Sequence, residues 1–359
     1  MLKGNKGEWS VVYVLLKILA DQKLYAGNES LERIDSLIYP IVKILRTESD
    51  GTFEFSYDSD IVVIKNDKEY FRVPIFEFQK QAVALLNELK KATETTFDIP
   101  EIEEFMRSYN SSSLKASSSL KSDICIAIHD HLTGMNPQLG FSIKSQLGSA
   151  STLLNAGRTT NFIYRVSGLS LQQEQIDDIN AISSGSKIKD RIEFIRAKSG
   201  KFDFVATENP VLGANLALID SCLPNILSEM LLLFFSSKLS KCTELVSEIT
   251  NTNPLDYPLH NHHPYYSYKM KRFLTDVALG MMPSKVWTGK YDATGGYLVV
   301  KDDGEVLCYH IYNRNEFEDY LLHNTKFDTS SSTRHDFGRL YVEEGELRFK
   351  LNLQIRFIK

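Results

Sequence analysis

The sequence predicts an α/β protein with a smaller α+β lobe at its C-terminal end. Over roughly the first 250 residues, segments whose apolar side chains recur three and four apart alternate with segments of period two, as expected for helices and strands. The last 90 residues or so differ, because one short helical segment lies there among several strand-like segments. A length of 359 residues also fits about two domains.

The N-terminal elements follow from these spacings. Glu8 to Asp21 is expected to be a helix, because its apolar residues share one face. A second amphipathic segment of helical character runs from about Ser30 to Leu45 and is interrupted by Pro40. Period-two patterns and later helical spacing predict strands over 52–57, 60–65 and 70–73, and helices over 75–93 and 99–109.

A serine-rich stretch over 110–122 separates these elements from a predicted hairpin, whose strands are 123–128 and 139–144 with a turn through 133–137. The remaining expectations are a strand over 161–166, helices over 170–183, 187–198 and 214–237, a short helix over 317–322, and strands over 296–301, 305–311, 339–343 and 347–357. We interpret residues 1–250 as a catalytic core with inserted helices and 251–359 as the α+β lobe.

Composition narrows the class of protein. Apolar residues make up 43% and charged residues 24%, which is typical of a globular chain. The longest wholly apolar run, Met230 to Phe235, is too short to span a membrane, and charged residues follow Met1 where an export signal would be apolar. Four scattered cysteines without C-x-x-C spacing indicate free thiols. We therefore expect a soluble, cytoplasmic protein.

Charge is distributed unevenly along the chain. The formal net charge is −5, but residues 110–165 carry a net +3 and residues 269–290 a net +4, which leaves −12 for the rest. Two basic segments on an acidic body suit a polyanion such as double-stranded DNA. Solvated surface lysines are the alternative explanation.

The strongest chemical pattern lies in the predicted hairpin. Asp123 begins one strand, and Ser142 and Lys144 lie two apart on the next, so they share a face that the Asp123 carboxylate can reach. Phosphodiester hydrolysis uses a carboxylate to hold Mg²⁺ and a lysine to orient or deprotonate water. Glu8, at the start of the first helix and preceded by Gly4 and Gly7, is a candidate second carboxylate. Judged by spacing alone, the same pattern also fits the alternative of a surface strand with a solvated lysine.

Polar segments supply candidate DNA contacts. The stretch from Ser145 to Asn161 is rich in hydroxyls, amides and glycines, which suit phosphates and base edges. A C-terminal segment over 328–335 has similar chemistry. The candidate DNA-binding residues are Lys115, Lys121, Ser145, Thr152, Asn155, Asn161, Asn313, Arg314, Arg334 and His335.

Several spaced motifs together resemble the HpaII-type restriction endonucleases. They are Gly4-Asn-Lys-Gly-Glu-Trp-Ser10, Lys121-Ser-Asp-Ile124, Gly140-Phe-Ser-Ile-Lys-Ser-Gln-Leu-Gly148, Thr152-Leu-Leu-Asn155, Thr160-Asn-Phe162, Gly295-Gly-Tyr-Leu-Val-Val-Lys301, Cys308-Tyr-His-Ile-Tyr-Asn-Arg314 and Leu351-Asn-Leu-Gln-Ile-Arg-Phe357. The resemblance covers essentially the whole chain. It implies a type II enzyme with the restriction-endonuclease-like mixed sheet of the PD-(D/E)XK superfamily, which cuts duplex DNA with Mg²⁺ at a short palindrome, CCGG for the family's namesake.

By this resemblance, Asp123 matches the metal-binding aspartate and Lys144 the motif lysine. Ser142 stands where the superfamily usually has Glu or Asp, so a second metal carboxylate must come from elsewhere, and Glu8 is our candidate. Gln146, two residues beyond Lys144, is positioned to orient water or a phosphate. Without a second carboxylate, the alternative is a catalytically weak or inactive sequence-specific DNA-binding protein.

Other interpretations have less support in the sequence. His260-Asn-His-His263 suggests a metal-finger nuclease, but paired cysteines are absent and neighbouring prolines favour a loop. Phosphate-loop, dinucleotide-binding, His-Glu-x-x-His and nucleophile-elbow motifs are also absent. A palindromic site favours a homodimer on DNA. A restriction enzyme further requires a cognate DNA methyltransferase, which we expect as its genetic partner.

Overall fold

A computed structural model describes residues 2–48, 51–67, 69–115, 122–130 and 134–359. Its helices are α1 (Lys6–Asp21), α2 (Ile75–Lys91), α3 (Pro100–Arg107), α4 (Gln173–Ala181), α5 (Lys187–Ala197), α6 (Pro210–Ile219), α7 (Leu223–Ser236), α8 (Cys242–Thr252), α9 (Tyr265–Leu279), α10 (Arg314–His323) and α11 (Ser332–His335). Its strands are β1 (Lys23–Gly27), β2 (Arg33–Glu48), β3 (Gly51–Asp58), β4 (Ile61–Lys65), β5 (Tyr70–Pro74), β6 (Ile124–Ile128), β7 (Gln138–Ser145), β8 (Thr152–Leu154), β9 (Asn161–Ser167), β10 (Lys201–Thr207), β11 (Gly296–Val300), β12 (Val306–His310), β13 (Thr325–Phe327), β14 (Leu340–Glu343), β15 (Glu346–Asn352) and β16 (Ile355–Phe357).

The chain forms two compact units. The first unit contains residues 1–151, 291–320 and 359, and the second contains 152–290 and 321–358. The sequence interpretation placed one division at residue 250 and assigned roles to the two sides. Those roles remain predictions.

A nine-stranded mixed sheet organises the first unit. Its strand order is β1-β12-β11-β7-β6-β2-β3-β4-β5. β11 runs parallel to β7 and β1 parallel to β12, whereas the other neighbouring strands are antiparallel. The sheet and its helices confirm the predicted α/β class, and the hairpin of β6 and β7 forms as expected, with Ile124 opposite Phe141.

Helix α1 is the centre of the hydrophobic core of this unit. Its N-terminus is closed by a capping box, in which the Asn5 side chain accepts from the Glu8 N–H and the Glu8 carboxylate accepts from the Asn5 N–H. Trp9 is fully buried in one apolar cluster with residues of α2, α3 and the sheet, including Phe141. Because side chains alternate along a strand, Ser142 and Lys144 point to the opposite face of β7 from Phe141.

The prediction of a helical segment from about Ser30 to Leu45 is wrong. From Arg33 onward this segment lies in the long strand β2. Its β-branched residues favour an extended chain. Pro40 is tolerated because its carbonyl, which remains available, accepts from His129, and the register with β6 shifts just beyond it.

Two further predicted elements are each divided in two. The helix expected over 214–237 is α6 and α7, which meet at an angle of 111°. Asp220 ends α6, where its side chain accepts from the Cys222 N–H, and Pro224 suits the first turn of α7. The strand expected over 347–357 is β15 and β16. Helices α8, α9 and α11 and strands β1, β8, β10 and β13 were not predicted.

The second unit has two small sheets. Their strand orders are β10-β9-β15-β14 and β13-β16-β8. Helix α7 supplies much of its core, because eight of its fourteen residues are buried. Among the described residues no single helix is long and apolar enough to cross a membrane. The bent pair of α6 and α7 taken together has the length and composition of a membrane span. All four cysteines are free, as predicted.

Candidate active site

Asp123 lies where strands β6 and β7 separate. Its N–H donates to the Phe141 carbonyl at 2.9 Å, and its Oδ2 accepts from the Ile143 N–H at 2.7 Å. The carboxylate therefore occupies a ladder position that a backbone carbonyl would otherwise take. One oxygen is held against β7, while Oδ1 has no hydrogen-bond partner among the described residues.

Lys144 interacts electrostatically with this carboxylate and lies on the face of β7 that carries Ser142. Strand β11 runs along β7 in parallel, with Tyr297 level with Ser142 and Val299 level with Lys144. The Lys144 Nζ lies 4.8 Å from the centre of the Tyr297 ring. Burial lowers the pKa of Lys144, and the charge of Asp123 opposes that shift. A lysine with a lowered pKa loses its proton more readily than a solvated one, which suits it to activate water.

Tyr297 belongs to the site and was not singled out from the sequence, although it lies in one of the motifs quoted above. Its side chain is buried and packs edge-on against Phe317, with ring centres 5.5 Å apart. Burial raises the pKa of its hydroxyl, and the charge of Asp123 adds to this. The ring of Tyr297 thus lies beside the Lys144 ammonium, in a cation–π contact.

Glu8 and Lys115 were predicted for different roles, and the structure pairs them. The Lys115 Nζ lies 2.6 Å from Glu8 Oε1, and Glu8 Oε2 accepts from the Asn5 N–H at 2.7 Å. Partial burial raises the pKa of Glu8, but the bonds from Lys115 and Asn5 outweigh it and hold the pKa below its ordinary value. Glu8 is therefore ionised, with both oxygens already engaged.

The other two predicted catalytic residues are Ser142, within β7, and Gln146, just after it, and the predicted DNA contact Ser145 lies between them. Ser142 is half-buried on the Lys144 face. Ser145 accepts from the hydroxyl of Ser10 on α1 at 2.8 Å. Gln146 donates its backbone N–H to the Val300 carbonyl at 2.9 Å, which continues the ladder beyond the end of the strand.

The donor set fits Mg²⁺ only in part. Mg²⁺ prefers oxygen ligands and is commonly held by one or two carboxylates together with water and substrate phosphates. Asp123 offers Oδ1, which has no hydrogen-bond partner in the described part of the chain, whereas Glu8 becomes available only when Lys115 moves away. In the part of the chain that the structure describes, no group of three or more His, Cys, Asp or Glu side chains could hold a metal ion.

Two other predicted DNA contacts of the first unit, Asn313 and Arg314, bond side chains outside this cluster. Asn313 accepts from the Tyr39 hydroxyl at 2.7 Å, and Arg314 donates to Glu318 at 2.6 Å. Lys121 falls outside the described residues.

In the second unit, the predicted DNA contacts differ in exposure. Asn155 and Arg334 are exposed, and Thr152 accepts from Arg356 at 3.3 Å. Asn161 is fully buried. Its side-chain amide donates to Glu208 and to the His335 carbonyl, and its Oδ1 accepts from the Asn352 amide. Direct contact between Asn161 and DNA would require these bonds to open. The histidine cluster over 260–263 includes part of a short 3-10 turn and is mostly exposed, in agreement with the predicted loop.

Comparisons with known proteins cover nearly the whole chain. The family model described as HpaII restriction endonuclease matches residues 5–357. The protein named "Type II restriction enzyme HpaII" from Haemophilus parainfluenzae is 51% identical over 360 residues, which cover 99% of this chain and 98% of that protein. No solved structure matches the chain.

Proposed function

Because this chain belongs to the HpaII restriction endonuclease family and is a type II restriction enzyme, we propose that it hydrolyses double-stranded DNA with Mg²⁺ at a short palindrome. The proposed site is CCGG, and the products carry 5′-phosphates. The observation that supports this proposal is the Asp123 carboxylate, which is bonded to the N–H of Ile143, the residue before Lys144, and whose charge acts on Lys144.

The residues of the site divide the work. Asp123 offers its Oδ1 to the metal, and Glu8 is the candidate second carboxylate. Bound Mg²⁺ would neutralise charge on the scissile phosphate and polarise it. Lys144, held over Tyr297, orients the attacking water and accepts its proton. Attack in line then expels the 3′ oxygen and leaves the phosphate on the 5′ end.

Two side chains modify this arrangement. Ser142 stands where the PD-(D/E)XK pattern has a carboxylate, and a hydroxyl is a weaker ligand for a hard cation than a carboxylate. Its position on the Lys144 face suits a hydrogen bond to water or phosphate. Gln146, two residues further along, is proposed to do the same.

The wider assignments are also proposals. They include the restriction-endonuclease-like fold, DNA contacts by the residues named above, DNA recognition by residues 251–359, a homodimer on DNA, a companion methyltransferase and a cytoplasmic location. The exposed side chains of Arg334 and Asn155 are the best placed of the predicted contacts in the second unit.

A plasmid with mapped CCGG sites tests the proposal. The purified protein is incubated with Mg²⁺ or with EDTA, beside Lys144→Ala and the control Lys91→Ala, which removes an exposed lysine paired with Glu88 on α2. We expect discrete bands that map to CCGG, require Mg²⁺, persist in Lys91→Ala and are lost in Lys144→Ala. Fragments that ligate without prior phosphorylation would confirm 5′-phosphates.

Other outcomes would correct particular parts. Discrete bands that map to a different sequence would refute only the assignment of CCGG as the site. Equal cleavage in EDTA would refute the metal, and wild-type rates in Lys144→Ala would refute the assigned lysine.

A further inference from the structure

A buried ion pair lies near Asp123 and has no part in the chemistry described so far. Arg46 and Glu48 are two residues apart at the end of β2, with Arg46 Nε 3.2 Å from Glu48 Oε1 and side chains about 1% exposed. β2 is paired with β6, and Leu45 lies opposite Cys125. The pair is therefore level with the start of β6, where Asp123 stands.

This pair is hydrogen-bonded to residues 111–113, the segment that follows α3. Glu48 Oε1 accepts from the Ser111 hydroxyl at 2.7 Å, and its Oε2 accepts from the N–H groups of Ser112 at 3.0 Å and Ser113 at 3.2 Å. Arg46 Nη2 donates to the Ser113 carbonyl at 2.5 Å. Four hydrogen bonds thus fix three consecutive residues to one buried pair.

The fastened segment leads directly to Glu8. Leu114 is buried so close to the start of the chain that a Cβ on Gly4 would lie 2.5 Å from its Cδ1. The next residue, Lys115, places its Nζ 2.6 Å from Glu8 Oε1. The Lys115 side chain remains 60% exposed, so a ligand can approach its ammonium from solvent.

We propose that the Arg46–Glu48 pair is a positioning device for a DNA-backbone contact made by Lys115. On binding, a DNA phosphate replaces Glu8 as the partner of Lys115. Exposed ion pairs are weakly held, and a phosphate is a strong acceptor for an ammonium, so this exchange is favourable. It leaves Glu8 Oε1, the candidate second metal ligand, available at the moment DNA arrives.

A purely stabilising role explains the pair less well. Two charges buried together lose their hydration, and apolar residues of similar size are often equally stable in such positions. The contact of Arg46 Nε with Glu48 Oε1 is an ion pair without hydrogen-bond geometry, and Arg46 Nη1 has no hydrogen-bond partner among the described residues. What the charges provide is a set of bonds to the backbone and hydroxyl groups of 111–113, which apolar side chains cannot make.

The inference rests on the proposed function and is tested separately from it, by DNA binding in EDTA. Fluorescence anisotropy with a short CCGG duplex gives the Kd over a range of salt concentrations. We expect Lys115→Ala to weaken binding about tenfold and to lower the salt slope by about one, as for the loss of one phosphate contact. Glu48→Gln should weaken binding by a similar factor and add little in the Lys115→Ala background.

Two further variants keep the result interpretable. Arg46→Met combined with Glu48→Leu removes the bonds to 111–113 without leaving an isolated buried charge, so it serves if Glu48→Gln does not fold. It should reproduce the loss seen in Lys115→Ala. Lys91→Ala, which removes another exposed and paired lysine, should bind as the wild type does.

Wild-type binding by a folded Glu48 variant, or losses that simply add to that of Lys115→Ala, would overturn the positioning role. Wild-type binding by Lys115→Ala would overturn the phosphate contact. Neither outcome affects plasmid cleavage by the wild-type enzyme, on which the proposed function is judged.

Discussion

We expect the free energy of unfolding to depend on pH through the buried side chain of His310. It ends β12 fully buried, stacked on Tyr39 with ring centres 5.3 Å apart and in edge contact with Phe141. Its Nδ1 accepts from the Tyr312 N–H at 2.9 Å, so the proton of the neutral ring is on Nε2, which has no hydrogen-bond partner among the described residues. Burial lowers the pKa of His310 to about 4, although Asp130 opposes the shift.

The consequence for folding has a definite sign. An unfolded histidine titrates near pH 6.5, so below that value the unfolded chain binds a proton that the folded protein does not. Stability from this site is full above about pH 6.5 and falls as the pH decreases towards the folded pKa. At about pH 5 the unfolded pKa is roughly 1.5 units above the pH, which corresponds to about 2 kcal/mol lost relative to pH 7.5.

Urea unfolding measures this loss in the first unit. Trp9 and Trp287 are the two tryptophans, so Trp287→Phe leaves the fully buried Trp9 as the reporter. In that background, His310→Gln keeps an acceptor for the Tyr312 N–H and does not titrate. Its free energy of unfolding should fall by about 2 kcal/mol less between pH 7.5 and pH 5 than that of the parent. An equal fall in both proteins would refute a neutral, buried His310.

Two other predictions concern the site residues. Because burial lowers the pKa of Lys144 and Asp123 opposes this, Asp123→Asn should lower that pKa further, as followed by NMR after ¹³C-methylation of lysines; an upward shift would contradict the geometry. Asn161→Ala breaks a buried hydrogen-bond network and should destabilise the second unit by about 3 kcal/mol, measured through Trp287 fluorescence. The exposed Asn155→Ala should change stability by less than about 0.5 kcal/mol, and comparable losses in both variants would show that burial is not the cause.

Predictions of local structure succeeded where the pattern was strong. The helices α1 and α2 and the hairpin of β6 and β7 were found within a few residues of their expected ends. The error at β2 has a physical origin: apolar residues at mixed spacing around Pro40 fit a helix and a strand about equally well. Pairing with β1, β3 and β6 decided the outcome, and none of these contacts is local in sequence.

Part of the candidate site could also be predicted from local patterns in the sequence. Asp123 and Lys144 lie on neighbouring strands of one hairpin, so alternation and a short turn suffice to bring them together. Tyr297 was missed because it reaches Lys144 from β11, more than 150 residues later in the chain. Burial of its ring cannot be inferred from spacing within its own strand.

The sequence by itself determined the family of this protein, its α/β class and the hairpin of β6 and β7 that carries Asp123 and Lys144. These follow from motifs and periodicities that act over a few residues or one hairpin. Only the tertiary structure decided that Glu8 is held by Lys115, that Arg46 and Glu48 bond residues 111–113, and that His310 is buried with no partner for Nε2 among the residues that the structure describes. Each of these depends on burial and on contacts between distant segments, which the complete fold creates.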